Sequence, residues 1–330
     1  MLFSTIKDTY AESDLLVIPV NIRFGFFLSS DILSVLCSLF VQYHLLTDRI
    51  LRQALNNHAI IVLLCFVLTY ELTTVPLMLY YYHVGDEWII SAGFSHFWTF
   101  IDYLSFTVQL TGFAWTSIER HILIFHNQWV HTKIKRFLIH YLPLLALIIY
   151  CFVYHFAFIL FPSCETSIIM SPFNGVPIPC ILFEPFFIKY DAILHQIIPT
   201  FVIGISTVAL FLRVHHQKAR FNRSIQWRKE RKIIIQSLSI SLLYLSFMSP
   251  RMASQCCVLL GFTTKGVMTL YFNGAFLAIY TVFLFPFVCC VWIPEIGKKM
   301  NGLFLCERKR RRVIVPALSI QFPKKQRNKL

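Results

Sequence analysis

Residues 97–124 read FWTFIDYLSFTVQLTGFAWTSIERHILI, and their pattern decides the fold. The stretch exceeds the roughly 20 residues of helix needed to cross a hydrocarbon core. Within it Asp102, Ser105, Gln109, Gly112, Thr116 and Arg120 recur at intervals of three or four. At about 3.6 residues per turn these positions form one stripe along a helix. An ionisable group in lipid costs at least a few kcal/mol, so the stripe is expected to face the interior of a bundle.

Six further apolar segments supply the rest of that bundle, at 20–46, 59–82, 137–161, 187–212, 233–260 and 266–293. A chain that is 57% hydrophobic and 14% charged lacks the polar surface of a water-soluble domain. Helix is the expected form, because a lipid-facing strand cannot satisfy its own backbone. The predicted fold is therefore an all-α membrane protein, a seven-transmembrane helix bundle. It divides into an extracellular N-terminus (1–19), the bundle (20–293), and a cytoplasmic amphipathic helix and basic tail (294–330). No repeat is visible, and no connection is long enough to hold a separate domain.

Orientation follows from the basic residues. Twenty-five of the thirty lysines and arginines fall in the first, second and third inner connections or from Lys298 onward. Only Lys7, Arg23, Lys189 and Lys265 fall on the other side, and Arg251 lies inside a span. The basic face is expected to be cytoplasmic. The formal charge of +14 then reflects topology and anionic inner-leaflet lipid, with no need of nucleic acid. Residues 1–19 carry Lys7, Asp8, Glu12 and Asp14 where a cleavable leader would be apolar, so the first span is expected to target the chain. The outer connection 162–186 holds five prolines and is the expected lid over an outward-facing pocket.

The inner end of the 97–124 stripe reads Glu119-Arg120-His121. This resembles the acidic-Arg-aromatic signature that ends the third helix of rhodopsin-like (class A) G-protein-coupled receptors, with Glu for Asp and His for Tyr. The run from Glu119 to His126 and Leu284-Phe285-Pro286-Phe287-Val288-Cys289 are similar to a large group of such receptor sequences from rotifers. The resemblance implies several roles. Asp102, eighteen residues before Arg120, takes the place of the carboxylate that binds protonated amines. Pro199, Pro250 and Pro286 match kink prolines of the fifth, sixth and seventh helices. Glu230, twenty residues before Pro250, takes the place of the carboxylate that pairs with the third-helix arginine at rest.

Departures from the family pattern are equally specific. The third-helix cysteine that normally staples the second outer loop falls at Ser95, so the loop's own Cys164 and Cys180 are the candidate disulfide. Met248 stands where the sixth-helix tryptophan is usual. The seventh-helix motif lacks its polar residue and its tyrosine.

Physical chemistry adds its own expectations. Arg120 keeps its charge and presents a planar fork, so it seeks a carboxylate, either Glu119 or Glu230. Asp31, Glu71, Asp102 and Arg251 are the ionisable groups placed inside the membrane. Arg251 follows Pro250, where the broken ladder opens toward the core. It has two readings: it neutralises Asp102, Glu71 or Asp31, or it gives the pocket a positive charge for a zwitterionic or acidic ligand. Ser105, Trp98, Tyr103 and Tyr271 are candidate pocket residues. Beyond the last span, residues 296–306 read as an amphipathic helix on the inner leaflet. Cys306, beside the run Arg308 to Arg312, is a candidate palmitoylation site, with a solvated basic tail as the alternative.

The function expected is a plasma-membrane receptor that couples an extracellular small-molecule or peptide ligand to a heterotrimeric G protein, without cofactor or metal. A multi-span transporter or channel is the alternative, though neither inverted repeats nor Gly-broken helix pairs are visible. No enzyme is expected, because His-Glu-x-x-His, Gly-x-Ser-x-Gly and paired aspartates are all missing.

Overall fold

In the computed structural model, the described residues are 17–85, 88, 90–125, 132–162, 164, 169–171, 173–218 and 224–292, without the side chains of 216–233 and 292. Almost all of them are helical. The long helical runs are α1 (Val20–Thr47), α2 (Leu55–Val84), α3 (Ala92–Phe125), α4 (Lys133–Leu160), α5, α6 (Ser224–Leu259) and α7 (Lys265–Trp292). Helix α5 runs without a break through Pro185–Asp191, Ala192–Ile197 and Ile198–Lys218. Each apolar segment read from the sequence falls on one of these helices to within a residue of its described end.

Among the described residues, five helices, α1, α2, α4, α5 and α7, are long and apolar enough to cross a membrane. Helices α3 and α6, of 34 and 36 residues, are at least as long but more polar, as α3 carries the stripe and α6 begins with the basic run Arg228 to Lys232. Large apolar side chains line the outside of the bundle, among them Phe152 and Val153 on α4 and Phe201 and Ile205 on α5. An all-α fold with such a surface suits a hydrocarbon solvent better than water.

Helix α3 packs against α2, α4, α5 and α6, and its stripe explains that position. Ser105, Gln109, Gly112, Thr116 and Arg120 are all buried. Gly112 admits Leu63 of α2, whose Cδ2 would lie 2.9 Å from a Cβ at that position. The main apolar core draws on α1, α2, α3, α5, α6 and α7, whereas α4 packs on a satellite cluster of Leu104, Val108 and Cys151.

The connection between α4 and α5 forms a small hairpin, β1 (Ile169–Met170) antiparallel to β2 (Pro177–Ile178). Gly175 turns it with φ of +72°, a left-handed conformation that suits glycine, and lies against the Tyr81 ring of α2. Three side chains clamp the hairpin to the bundle. Arg23 Nη1 donates to the Phe173 carbonyl at 2.8 Å, the Tyr82 hydroxyl donates to the same oxygen at 2.5 Å, and the Thr99 hydroxyl donates to the Pro177 carbonyl at 3.0 Å. Cys164 and Cys180 are disulfide-bonded with their Cα atoms 6.1 Å apart, as the sequence suggested.

Candidate functional site

At the hairpin end, α3, α5, α6 and α7 enclose a cavity of about 120 Å³. The hairpin contributes Ser171, Phe173, Asn174, Val176 and Ile178 to its lining, so the proline-rich connection covers a pocket as expected. Asp102 enters from α3 and Arg251 from α6, immediately after the proline that interrupts the α6 ladder. Aromatic rings of Tyr103, Phe106, Tyr271 and Phe272 form much of the apolar wall.

The charges in this cavity are unequally satisfied. Asp191 of α5 is fully engaged: Oδ1 is 2.9 Å from His195 Nδ1, and Oδ2 accepts from Gln196 Nε2 at 3.3 Å. Asp102 lies within hydrogen-bonding reach of the Tyr70 hydroxyl, but its buried Oδ1 has no partner. Arg251 makes no ion pair within 4.0 Å among the described residues. Its guanidinium lies 5.6 Å from the Phe106 ring centre and 5.7 Å from that of Tyr271, and its Nε is buried without a partner. Cation–π contact of this kind stabilises the charge by about 0.5–2 kcal/mol without using up its hydrogen-bond donors.

The neutralising contacts considered for Arg251 are therefore not made. Glu71 instead accepts from the hydroxyls of Ser34 and Ser38 on α1, the latter at 2.9 Å. Asp31 is buried with Oδ1 unpartnered. The cavity keeps one carboxylate oxygen and one guanidinium that form no contact pair.

The opposite end of the α3 stripe is about 27 Å away, from eighteen residues at about 1.5 Å each. There one of the two partners left open for Arg120 is ruled out. Glu119 does not pair with Arg120; its carboxylate bonds His140 Nδ1 on α4. His140 Nε2 lies 3.2 Å from His58 Nδ1, and His58 Nε2 is 2.8 Å from the Arg52 carbonyl. Arg120 is buried, and Nη2 donates to the Asn56 carbonyl at 2.8 Å while Nη1 has no partner. His121 Nε2 contacts the Ser206 carbonyl of α5 at 2.7 Å. The Glu230 side chain and Cys306 lie outside the described residues, as does the amphipathic segment 296–306.

Neither a protein-family model nor a curated protein matches this chain significantly.

Of the six pocket candidates, the fold brings Asp102, Tyr103, Arg251 and Tyr271 together at one cavity. Ser105 and Trp98 are buried outside its lining, and Trp98 packs on Trp88 with ring centres 5.4 Å apart. Asp191, Gln196, Gln255 and Tyr70 were missed. Asp191 and His195 do carry a legible signal, opposite polarity at i and i+4 on a helix. The others depend on the π-helical turn Ala192–Ile197, which rotates the following side chains relative to an α-helix, and on how α2 and α6 pack.

Proposed function

We propose that this chain is a seven-span receptor of the rhodopsin-like type, with its N-terminus outside and a heterotrimeric G protein as its cytoplasmic partner. In this reading all seven long helices cross the plasma membrane, including the more polar α3, whose Glu119 and Arg120 are buried among its neighbours, and α6. One observation carries the proposal: a single buried stripe of α3 runs from Asp102 at a hairpin-covered cavity to Arg120, a buried arginine with no carboxylate within 4.0 Å among the described residues.

The chemistry supports a two-state device. The Arg120 guanidinium cannot shed its charge, and a lone carbonyl bond from Asn56 leaves donors to spare. Glu230 on α6 is the partner proposed for the resting state, and a G-protein segment is the competitor that replaces it when α6 moves outward. A ligand bridging α3 and α6 at the cavity biases that choice only if it binds the two packings with different affinity.

Two variants test the switch in transfected cells with a second-messenger readout. Glu230→Ala should raise basal signalling, and Arg120→Ala should abolish signalling at equal surface expression. Unchanged signalling in both variants rejects this assignment. Solute or ion movement by the purified protein in liposomes, without any G protein, would favour a transporter instead.

A further inference from the structure

We propose that the cavity between α3 and α6 takes a small zwitterion, an ammonium and a carboxylate carried on one amino-acid-sized body. The inference rests on reading this cavity as the ligand site but not on G-protein coupling. Its basis is the inventory of unsatisfied atoms. Asp191 has both oxygens engaged, which leaves Asp102 as the carboxylate with an open acceptor. Arg251 presents a guanidinium held only by aromatic faces, with its hydrogen-bond donors unspent on any protein carboxylate among the described residues.

Two neutral groups sharpen the polarity. Gln196 and Gln255 both line the cavity and are more than nine-tenths buried, and the Oε1 of each has no partner. Buried polar atoms normally find partners, and leaving one unmade costs about 1–3 kcal/mol. Together with Asp102 Oδ1 they make three acceptors waiting for N–H donors. An ammonium has three such donors. The Arg251 fork matches a carboxylate in the same way.

Neither a simple amine nor a simple acid completes the set. An amine would satisfy Asp102 and leave the half-buried Arg251 facing the cavity without an anion, and an acid would do the reverse. A molecule with both charges satisfies both while Asp102 and Arg251 remain apart. Size points the same way, because about 120 Å³ is well below the roughly 300–1,000 Å³ of a drug-sized pocket. The rings of Tyr103, Phe106, Tyr271 and Phe272 offer an apolar wall to the body that carries the two charges.

The experiment uses the full-length protein, purified in detergent, and thermal unfolding with the free α-amino acids and γ-aminobutyrate at millimolar concentration. At least one member should raise Tm. For that member, the matched amine without the carboxylate and the matched acid without the ammonium should each bind at least about tenfold more weakly, the loss of one charged contact. Asp102→Asn should weaken the zwitterion and leave the acid unchanged, whereas Arg251→Gln should weaken the zwitterion and leave the amine unchanged. The matched analogues on the wild-type protein decide between the ligand classes even if a variant fails to fold. No stabilisation by any member of the panel, or equal binding by the amine alone or the acid alone, overturns the proposal. Binding without G-protein nucleotide exchange would leave the ligand class standing and remove the receptor reading. Activation by a ligand of another class would do the opposite.

Discussion

Glu119 and Arg120 show how little sequence adjacency says about contact. Successive residues on a helix point about 100° apart, so neighbours in the chain face different elements. Glu119 turns to His140 on α4, and Arg120 turns to the Asn56 carbonyl at the start of α2. Of the two partners that the sequence left open for Arg120, Glu119 is the one it does not meet, and the Glu230 side chain lies outside the described residues. His140→Phe should therefore lower stability by about 1–3 kcal/mol, because it leaves a buried carboxylate without its partner. Glu119→Gln, which keeps a hydrogen-bonding group beside His140, should cost less. Thermal unfolding of the purified variants decides, and an unchanged Tm for His140→Phe would show the contact to be energetically idle. Asp102 and Arg251 were legible because ionisable groups in apolar spans have few places to go. That they remain separate was not legible, since a distance between two helices has no signature in either.

The pairing of α6 with α7 is an especially close approach between long helices, and a glycine permits it. A Cβ on Gly274 would lie 2.8 Å from the Arg251 backbone N and 2.9 Å from its Cα. Those are backbone atoms, which cannot turn aside as a side chain can. Gly274→Ala should push the two helices apart beside Pro250, destabilise the protein by about 1–3 kcal/mol and weaken ligand binding through Arg251. Gly204 on α5 is the contrasting case. Its nearest neighbour, Leu245 Cδ2, would be 3.8 Å from the added Cβ, so Gly204→Ala should be neutral or stabilise by up to about 1 kcal/mol through helix propensity. Paired thermal melts test both, and a Tm for Gly274→Ala equal to wild type would reject the close-packing argument. The hairpin between α4 and α5 makes a further prediction. Its disulfide closes a short loop, whose removal costs about 2–4 kcal/mol in typical cases. Cys180→Ser should lower Tm, yet Arg23, Tyr82 and Thr99 still clamp the hairpin, so the lid should stay in place. Limited proteolysis of the hairpin in that variant measures how much of the clamp is left.

For the whole molecule, the distribution of charge predicts which side each end occupies. An epitope tag at the N-terminus should be detected on intact cells, and one at the C-terminus only after permeabilisation. Detection of both tags on the same side would exclude an odd number of spans. The sequence by itself determined the helices, their approximate ends and the apolar outer surface. These follow from local composition and periodicity, which the membrane makes unusually stringent because every backbone group must be satisfied within its own segment. Only the tertiary structure decided that the cover over the cavity is a hairpin pairing Ile169–Met170 with Pro177–Ile178, that Asp191 is spent on His195 and Gln196, and that Arg251 rests on Phe106 and Tyr271 instead of a carboxylate. The physical reason is that a stripe fixes which side of a helix faces inward, whereas the partner it meets there depends on crossing angles, π-helical turns and one glycine contact that couple residues far apart in the chain.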